Sequence, residues 1–556
     1  MKNQGNNNGL KFVALSGTTA VTENFYIYEY GNDMIVVDCG VGFPEPEMFG
    51  VDLVIPDFTY IKENANKIKG ILISHGHEDH LGALPFLLKD VNLPIYATKL
   101  VAGFIEDKFV DYEMKPPKVN VFDPERDVLT LGNFRVTPFR VSHSVPDGVG
   151  FAIDTPEGKI FHVPDYKFDW TPVDGKPFDV KRMVSLASEG VLALASDALG
   201  STTPGYTESE KEIENRLEEI IRKARGRTFF TTISSNISRM QQLINICVRL
   251  GKKVIFVGRS IERKAEIARD LGYLMYPDNV IASPKEAGRL NKNQIVYIIS
   301  GSYGQPGSAL YRLAIGEHKF LKVESADLVI FSSDPAPPGS KTNTDFIVDK
   351  FIEEDVEVHY YDTQEDLHVS GHGSQKDIEL LFGLLRPKYY LPIGGTKRHM
   401  RAYSLMAQNM GAQAKDVFEL GAGEVVEFKN GNARISGKVQ TRNVLVDGLG
   451  IGDVGNVVLR DRHVLAKDGV AIVMLPFDGT QRKLYDVPEI ISRGFVFEEK
   501  EKAFLNSTAI ELKKHLDIGK NFDSKFIKDK SVSFLEKYFY EKTGRRPMVV
   551  PVVVEI

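Results

Sequence analysis

The sequence predicts an α/β fold divided among several domains, and three features of the 556-residue chain point to it. Between Phe12 and Phe161, short runs rich in Val, Ile, Tyr and Phe alternate with turn residues, a pattern typical of β-strands. From residue 207 onward, strand-like and helix-like segments alternate, which is typical of βαβ units with a parallel sheet. The length exceeds that of a single compact core, so we expect about three domains.

The first part of the chain, residues 1–206, is predicted to be a layered α and β domain. Its strand candidates are the segments NFYIYEY, DMIVVDCG, GILISHG, PIYAT, FRVTPFRV, GFAIDT and KIFHVPD. One helical pattern, ALPFLLKDV, directly follows a cluster of histidines and acids. Histidine and acidic side chains that can bind a metal are therefore expected at the ends of strands.

A second domain is predicted over residues 207–355. The segment TESEKEIENRLEEIIRKARG has an acidic first turn, apolar residues three and four apart and a terminal glycine, so we expect a helix capped by Thr207. Strand and helix patterns then alternate from RTFFTTI to ADLVIFSS. After residue 355 a histidine-bearing stretch, HVSGHG, indicates that the first domain resumes over 356–436, before a C-terminal segment at 437–556.

Composition restricts the class of protein. No apolar run approaches the roughly 20 residues of a membrane helix, and MKNQGNNNGLKF lacks the apolar stretch of a signal peptide, so we expect a cytoplasmic protein. The two cysteines, Cys39 and Cys247, exclude a disulfide scaffold or a cysteine-rich zinc module. A formal net charge of −6 argues against a globally basic nucleic-acid binder, so contacts with RNA or DNA would have to be local.

The stretch ISHGHEDHLG, residues 73–82, concentrates metal-ligating side chains. His75, His77, Asp79 and His80 follow the strand pattern GILIS, and loop residues at this spacing can face a common centre. Neutral imidazole and carboxylate groups suit zinc or manganese. The alternative interpretation is a polar loop that only caps the helix after it.

The His-x-His-x-Asp-His motif after a strand resembles the signature of the metallo-β-lactamase family. This resemblance implies an αββα sandwich with two metals at its edge and a catalytic role for Asp79. It also implies further metal ligands at His143, in RVSHSVPDG, and at Asp165, in FHVPDYKFD, where Asp165 would bridge the metals. Asp38, in IVVDCG, would orient one of the ligands.

The whole chain resembles one branch of that family, the bacterial ribonuclease J proteins with a β-CASP domain. The segments that carry this resemblance are GVDLVIPD, GRSIERKAEIA, HVSGHG, VDGLGIGDVGNVVLRDR and TGRRPMVVPVVVEI. It implies a metallo-β-lactamase domain, 1–206 and 356–436, interrupted by a β-CASP α/β domain at 207–355 and followed by a small α/β oligomerisation domain within 437–556. It also implies cleavage of single-stranded RNA, internally or from the 5′ end, by a homodimer or homotetramer, or by an assembly with a paralogue.

The resemblance also assigns roles in the HVSGHG segment. His368 would lie beside the scissile phosphate, where it could donate a proton. Ser370, Gly371 and His372, together with Ser235, would bind a 5′-monophosphate. A glycine-rich turn that caps the next helix is the alternative interpretation of this segment.

The chain departs from the family pattern at the last metal ligand. In LPIGGTKRHM, Gly394 stands where a histidine is expected. His399 is the nearest replacement, but it lies at the start of a helical stretch, so we do not expect it to complete the site. The prediction is therefore one tightly bound zinc and one weakly held second metal, with manganese or magnesium possible there.

Three functions are compatible with these features. The first is an active metal-dependent ribonuclease in RNA maturation and decay, favoured because six ligand residues would have little reason to persist in a packed interior without metal. The second is a weakly active or inactive paralogue that binds RNA beside an active subunit. The third is a hydrolase of the same fold that acts on a small molecule, although an inserted domain is unnecessary for such a substrate.

Overall fold

The computed structural model describes residues 9–333, 339–363, 367–448, 450–495, 498–516 and 523–555. They form two compact units: the first runs up to Phe43 and continues over Leu53–Val444, and the second contains Pro44–Asp52 and the chain from Leu445 onward. Within the described ranges no helix is both long enough and apolar enough to cross a membrane. The start of the segment MKNQGNNNGLKF lies outside the described residues.

The first unit begins with a strand-rich stretch. Its strands are β1 (Leu10–Ser16), β2 (Phe25–Tyr30), β3 (Asp33–Val37), β4 (Leu53–Pro56), β5 (Ile68–Leu72), β6 (Ile95–Ala97), β7 (Val119–Val121), β8 (Leu129–Leu131), β9 (Phe134–Arg140), β10 (Val149–Thr155), β11 (Gly158–Val163) and β12 (Ala193–Asp197). Its helices are α1 (Thr59–Glu63), α2 (Glu78–Leu81), α3 (Leu84–Leu88), α4 (Lys99–Asp111) and α5 (Val180–Ala187).

Strands and helices then alternate through the middle of the chain. These elements are α6 (Glu212–Lys223), β13 (Thr228–Thr231), α7 (Ile237–Leu250), β14 (Lys253–Val257), α8 (Arg259–Asp270), α9 (Pro284–Ala287), β15 (Ile295–Ile299), α10 (Ala309–Ala314), β16 (Leu328–Phe331), α11 (Ser340–Glu353) and β17 (Glu357–His359). The unit ends with α12 (Gln375–Leu385), β18 (Tyr389–Ile393), α13 (Lys397–Asn409), β19 (Glu424–Lys429) and β20 (Asn432–Lys438).

Two mixed sheets form the predicted sandwich. One has the strand order β20-β19-β1-β2-β3-β5-β6-β7 and the other the order β18-β12-β11-β10-β9-β8, so both contain strands from each end of the unit. Phe12 and Tyr28 of the first sheet share one apolar core with Phe151 of the second. The second sheet is covered on its other face by α5, α12 and α13, through side chains that include Phe382 and Tyr403. The predicted interrupted domain is confirmed.

The inserted segment has its own sheet, with the order β14-β15-β13-β16-β17, and β17 extends it beyond the predicted end at residue 355. Every neighbouring pair in it is parallel, which confirms the βαβ pattern predicted from the alternating segments. Phe229 of β13 and Tyr297 of β15 stack with ring centroids 4.9 Å apart in its core. The insertion therefore has a hydrophobic core separate from that of the sandwich.

Thr207 does not cap the helix that follows it, and this detail of the prediction is wrong. Helix α6 begins at Glu212. The Thr207 hydroxyl instead donates a hydrogen bond of 2.8 Å to the backbone carbonyl of His372. A tertiary bond has replaced the local cap, and it attaches the start of the insertion to the histidine-bearing loop.

A buried ion network also holds the insertion in place. Glu210 accepts a 2.5 Å hydrogen bond from Arg239 of α7, and its other oxygen lies 3.3 Å from Lys167 Nζ, in the loop after β11. Burial opposes the charge on Glu210, but Arg239 and Lys167 lower its pKa to about 2. Removing one member would leave a buried charge without its counterion, so the network resists separation of the insertion from the sandwich.

The second unit is a small α/β domain. Its elements are β21 (Asn443–Asp447), β22 (Gly450–Ile451), α14 (Asn456–Asp468), β23 (Val470–Asp478), β24 (Lys483–Leu484), β25 (Glu489–Arg493), α15 (Glu498–Leu516), α16 (Ser524–Thr543) and β26 (Met548–Glu555). The C-terminal strand β26 pairs in parallel with β23. Leu475, Leu512, Leu535 and Phe539 lie in the core beneath this sheet. The apolar C-terminal strand thus has a partner within its own domain.

Candidate metal centre

The predicted metal ligands come from three strand ends that meet at one edge of the sandwich. The loop after β5 carries His75 and His77, and the short helix α2 carries Asp79 and His80. His143 follows β9 and Asp165 follows β11, both in the second sheet. The two sheets therefore bring ligands that are far apart in the sequence to the same centre.

Four side chains form what we call the first ligand group: His75, His77, His143 and Asp165. His77 Nδ1 lies 3.1 Å from both His75 Nε2 and His143 Nε2. Asp165 Oδ2 lies 3.6 Å from His75 Nε2 and 3.7 Å from His143 Nε2. Ligand atoms arranged tetrahedrally at about 2.0–2.1 Å from zinc would be about 3.3–3.4 Å apart. The observed separations fit such an ion.

Asp79, His80 and Asp165 form the second ligand group. His80 Nε2 lies 3.6 Å from Asp79 Oδ2 and 3.4 Å from Asp165 Oδ1. Asp165 therefore turns one carboxylate oxygen toward each group, as a bridging ligand requires. The second group offers three protein ligands, one fewer than the first.

Asp38 orients His80 from behind. The Nδ1 atom of His80 lies 2.7 Å from Asp38 Oδ2, so Nε2 remains directed at the ligand group. The same carboxylate accepts hydrogen bonds from the backbone N–H and the hydroxyl of Ser74. An acid that fixes the tautomer and direction of a metal-binding imidazole is the usual partner of such ligands.

Electrostatics favour a cation at this centre. Burial and neighbouring imidazoles hold the pKa values of His75 and His77 well below their ordinary range, and burial lowers that of His143 to about 4. Burial would raise the pKa of Asp165, but His80 and His372 hold it well below its ordinary range. Neutral imidazoles around an ionised carboxylate are the protonation states that bind a divalent metal.

His372 also lies at the centre, together with an acid that the sequence motifs did not identify. Its Nδ1 is 2.6 Å from Asp197 Oδ2, and its Nε2 is 3.8 Å from Asp165 Oδ2. Burial opposes the positive charge on His372, but Asp197 and Asp165 raise its pKa to about 9. Asp197 ends strand β12, and an acid at the end of the strand pattern ALASD was the available signal.

The other predicted residues of the HVSGHG segment have distinct environments. The carbonyl oxygen of Gly371 lies 2.7 Å from His143 Nδ1, and a Cβ at this glycine would be 2.5 Å from the His143 ring. The exposed Ser370 accepts a hydrogen bond from the His372 N–H. His368 is half-buried and contributes to the lowered pKa of Glu210. Because Gly371 has no side chain, its backbone can approach the ring of the metal ligand His143 closely.

Ser235 lies beyond the carboxyl end of β13, in the inserted domain. Its side chain is buried, and its backbone carbonyl accepts a 2.8 Å hydrogen bond from the N–H of Ile237 at the start of α7. Its contact with a bound phosphate stays a prediction.

Gly394 directly follows β18 and lies beside Asp197. Its φ of +67° lies in the left-handed region, and a Cβ there would be 3.4 Å from Asp197 Oδ1. His399 is engaged elsewhere: its Nδ1 lies 3.2 Å from the backbone nitrogen of Thr396, and its Nε2 lies 3.2 Å from Arg398 Nε. Both ring nitrogens of His399 are thus used within the first turn of α13.

The sandwich, its edge centre of histidine and aspartate, and the parallel insertion define the class: a metallo-β-lactamase-fold protein with a β-CASP domain. Three family models match the chain in the corresponding places. Residues 34–180 match the beta-lactamase superfamily domain, residues 225–351 the beta-CASP domain of ribonuclease J, and residues 457–556 the ribonuclease J C-terminal domain.

Relatives match over nearly the entire length. The chain is 35% identical to Ribonuclease J2 of Bacillus subtilis (strain 168), with 99% of both chains covered. It is 36% identical to Ribonuclease J 1 of Streptococcus pyogenes serotype M3, with 97% of both covered, and 33% identical to Ribonuclease J 2 of Staphylococcus aureus (strain NCTC 8325 / PS 47), with 99% of both covered. The chain belongs to the ribonuclease J family.

A solved structure shares the fold at much lower identity. It is that of a protein of unknown function from Enterococcus faecalis V583, with a TM-score of 0.55 and 13% identity. The match covers 75% of this chain and 100% of that one. At this identity the similarity concerns the fold alone.

Proposed function

We propose that the metal centre of this ribonuclease J-type nuclease hydrolyses phosphodiester bonds of single-stranded RNA. Family membership supports the substrate class, and the observation that carries the mechanism is Asp165, whose two oxygens face two ligand groups. Two metals held by the two ligand groups would supply hydroxide near neutral pH and stabilise the charge that develops at the phosphate. The first ligand group has the protonation states that bind a metal, three neutral imidazoles and one ionised carboxylate, which favours an active enzyme over an inactive partner subunit.

The first ligand group is the proposed zinc site. It combines three imidazoles with one carboxylate, and this donor set suits zinc or a related transition metal. The second ligand group has more oxygen than nitrogen donors and would hold its metal more weakly. Manganese or magnesium is the proposed occupant there, since carboxylate oxygens suit these ions.

His372 is the proposed proton donor in the chemical step. Asp197 holds its Nδ1, so Nε2 is the nitrogen that faces Asp165 and the space where RNA would react. A proton on Nε2 can pass to the leaving oxygen or stabilise negative charge on the phosphate. His368, which the family resemblance places beside the scissile phosphate, remains the competing candidate.

The 5′ end of RNA is proposed to bind at the Ser370 hydroxyl and at the backbone of Gly371 and His372, with Ser235 as a further contact, while the His372 ring acts at the scissile phosphate. The Ser370 hydroxyl is exposed beside the His372 N–H, so it can reach a phosphate near the metal centre. A compact set of such groups accommodates one phosphate better than three. We therefore propose 5′-to-3′ exonuclease action that prefers a 5′-monophosphate, in addition to internal cleavage.

Ser370→Ala tests this pocket. We expect the rate of exonucleolytic digestion of 5′-monophosphorylated RNA to fall about tenfold, as for the loss of one hydrogen bond to a charged group. Cleavage of a circular RNA, which has no 5′ end, should change much less. Rates would be measured on both substrates and on 5′-triphosphorylated RNA, with the exposed Ser188→Ala as the control.

Equal losses on linear and circular RNA would contradict the pocket assignment. Indifference of the unaltered enzyme to the 5′ group would contradict it as well. Hydrolysis of neither RNA by the metal-loaded protein would overturn the proposed function itself.

The second unit is proposed to mediate self-association into a homodimer or homotetramer, or assembly with a paralogue. Val550, Val552 and Val554 of the edge strand β26 are 38%, 41% and 40% exposed, on the face that points away from the domain core. Val457 and Leu465 of the neighbouring helix α14 are exposed as well. Such a combined apolar surface is typical of an interface in an assembly of closed symmetry.

A double substitution, Val550→Lys and Val552→Lys, should split the assembly. Charges introduced on both sides of a symmetric interface would be desolvated and would repel each other, so we expect the mass measured by light scattering to fall to that of a smaller species. Val121→Lys, at an exposed position of the first unit, is the matched control. An unchanged mass of the double variant would argue against this surface.

The cytoplasm is the proposed location. The free cysteines Cys39 and Cys247 are both buried, as expected of a protein that folds in a reducing compartment without disulfides.

A further inference from the structure

The second ligand group has a neighbour that the sequence motifs did not identify, the buried side chain of Asn24. Asn24 lies in the loop between β1 and β2. Its carboxamide nitrogen Nδ2 is 2.9 Å from His80 Nε2 and 3.4 Å from Asp79 Oδ2. Both of these atoms belong to the second ligand group, so the carboxamide lies within that group's ligand sphere.

The same carboxamide lies near the position where the family pattern places a histidine. A Cβ at Gly394 would be 3.9 Å from Asn24 Oδ1. Residue 394 thus has no side chain, and the carboxamide of Asn24, from the loop between β1 and β2, lies next to the space that such a side chain would occupy.

The hydrogen bonds of Asn24 allow its oxygen to face a metal. At present Oδ1 accepts from the Tyr26 hydroxyl at 2.7 Å, and this hydroxyl is also 2.9 Å from the carbonyl of Gly17. If the amide turned over, its NH₂ group could donate to the Tyr26 oxygen while Tyr26 donated to Gly17. The Asp79 carbonyl would lose the 3.2 Å bond that it now accepts from Asn24 Nδ2 but keep its 3.0 Å bond from the backbone N–H of Asn24. The exchange therefore leaves these polar groups satisfied.

We propose that the carboxamide oxygen of Asn24 is the fourth protein ligand of the second metal, in place of the side chain absent at Gly394. This inference rests on the metal centre of the proposed function. The resulting donor set has oxygens from Asp79, Asp165 and Asn24 and a single imidazole, from His80. Such an oxygen-rich set selects manganese or magnesium over zinc, whereas the first ligand group retains zinc.

Binding of Mn²⁺ to the full-length protein loaded with one equivalent of zinc tests the inference without reference to activity. Free Mn²⁺ would be followed by electron paramagnetic resonance during a titration. We expect one Mn²⁺ site in the unaltered protein, with affinity reduced about 10-fold or more by Asn24→Ala, as for the loss of a ligand. Asn24→Asp, which keeps the shape and adds a charge, should tighten it.

His399→Ala is the matched control and should leave Mn²⁺ affinity unchanged. Retention of one zinc in each variant shows that the first ligand group, and hence the fold around it, is intact. Mn²⁺ affinity that is the same with Asn, Ala and Asp at residue 24 would overturn the inference, as would a second zinc bound as tightly as the first.

The two proposals fail separately. If the unaltered protein cleaves RNA while Mn²⁺ affinity does not depend on residue 24, the ligand assignment is wrong and the nuclease function stands. If Mn²⁺ affinity depends on residue 24 but the loaded protein cleaves no RNA, the nuclease function is wrong and the ligand assignment stands.

Discussion

Asp165→Asn is expected to lower the rate of RNA hydrolysis by about 1,000-fold or more. Among the residues that the structure describes, Asp165 is the carboxylate shared by both ligand groups, and an amide in its place has no negative charge and only one oxygen. A loss of about 4 kcal/mol of transition-state stabilisation, within the range ascribed to a metal centre, corresponds to this factor. Single-turnover cleavage of a 5′-monophosphorylated RNA measures the rate, and elemental analysis measures the bound metal.

Asp154→Asn is the matched control for this substitution. Asp154 lies in β10 of the same sheet, where it pairs with Lys159 and is remote from the ligand groups. We expect its metal content and its cleavage rate to equal those of the unaltered protein. Near-normal cleavage by Asp165→Asn with full metal content would show that hydrolysis takes place elsewhere.

His372→Ala is expected to reduce the chemical step by about 100- to 10,000-fold, the range for the loss of a general acid. Its ring lies between Asp197 and Asp165 at the metal centre, whereas His368 is near Glu210. His368→Ala should therefore cause the smaller loss in single-turnover cleavage. Zinc content should stay unchanged in both variants, because neither histidine belongs to the two ligand groups of the proposed mechanism.

His359→Ala provides a control for the loss of an imidazole, since His359 pairs with Glu357 in the inserted domain. Asp197→Asn should reproduce part of the His372 effect, because Asp197 positions the ring without touching the reacting atoms. A greater loss from His368→Ala than from His372→Ala would return the role of proton donor to His368.

The sequence by itself predicted the sandwich, the insertion and the six metal ligands. Four of those ligands lie within six positions, and His143 and Asp165 follow strand patterns of the same type. Local spacing is sufficient for the cluster at residues 75–80, whereas the sandwich, His143 and Asp165 followed from the family resemblance. The family resemblance supplied the order in which the segments had to be combined.

Local pattern was insufficient where a tertiary contact competed with it. Thr207 has the sequence context of a helix cap, yet its hydroxyl donates to the carbonyl of His372. Gly371 has the context of a turn residue, yet its position also depends on the close approach of His143. In both cases the residue that forms the contact is distant in the sequence, so the neighbouring residues cannot predict the contact.

Only the tertiary structure decided which side chain lies beside the second ligand group. Asn24, Asp197, His372 and Gly394 come from four separate connections, and these residues lie close together because the strands beside them converge at one edge of the sandwich. A lone asparagine after a turn has no periodicity or spacing that marks it as a ligand. The sequence determined which ligand was missing at Gly394, and the packing of the two sheets determined which side chain lies beside the gap, because direction and distance between remote residues arise only on folding.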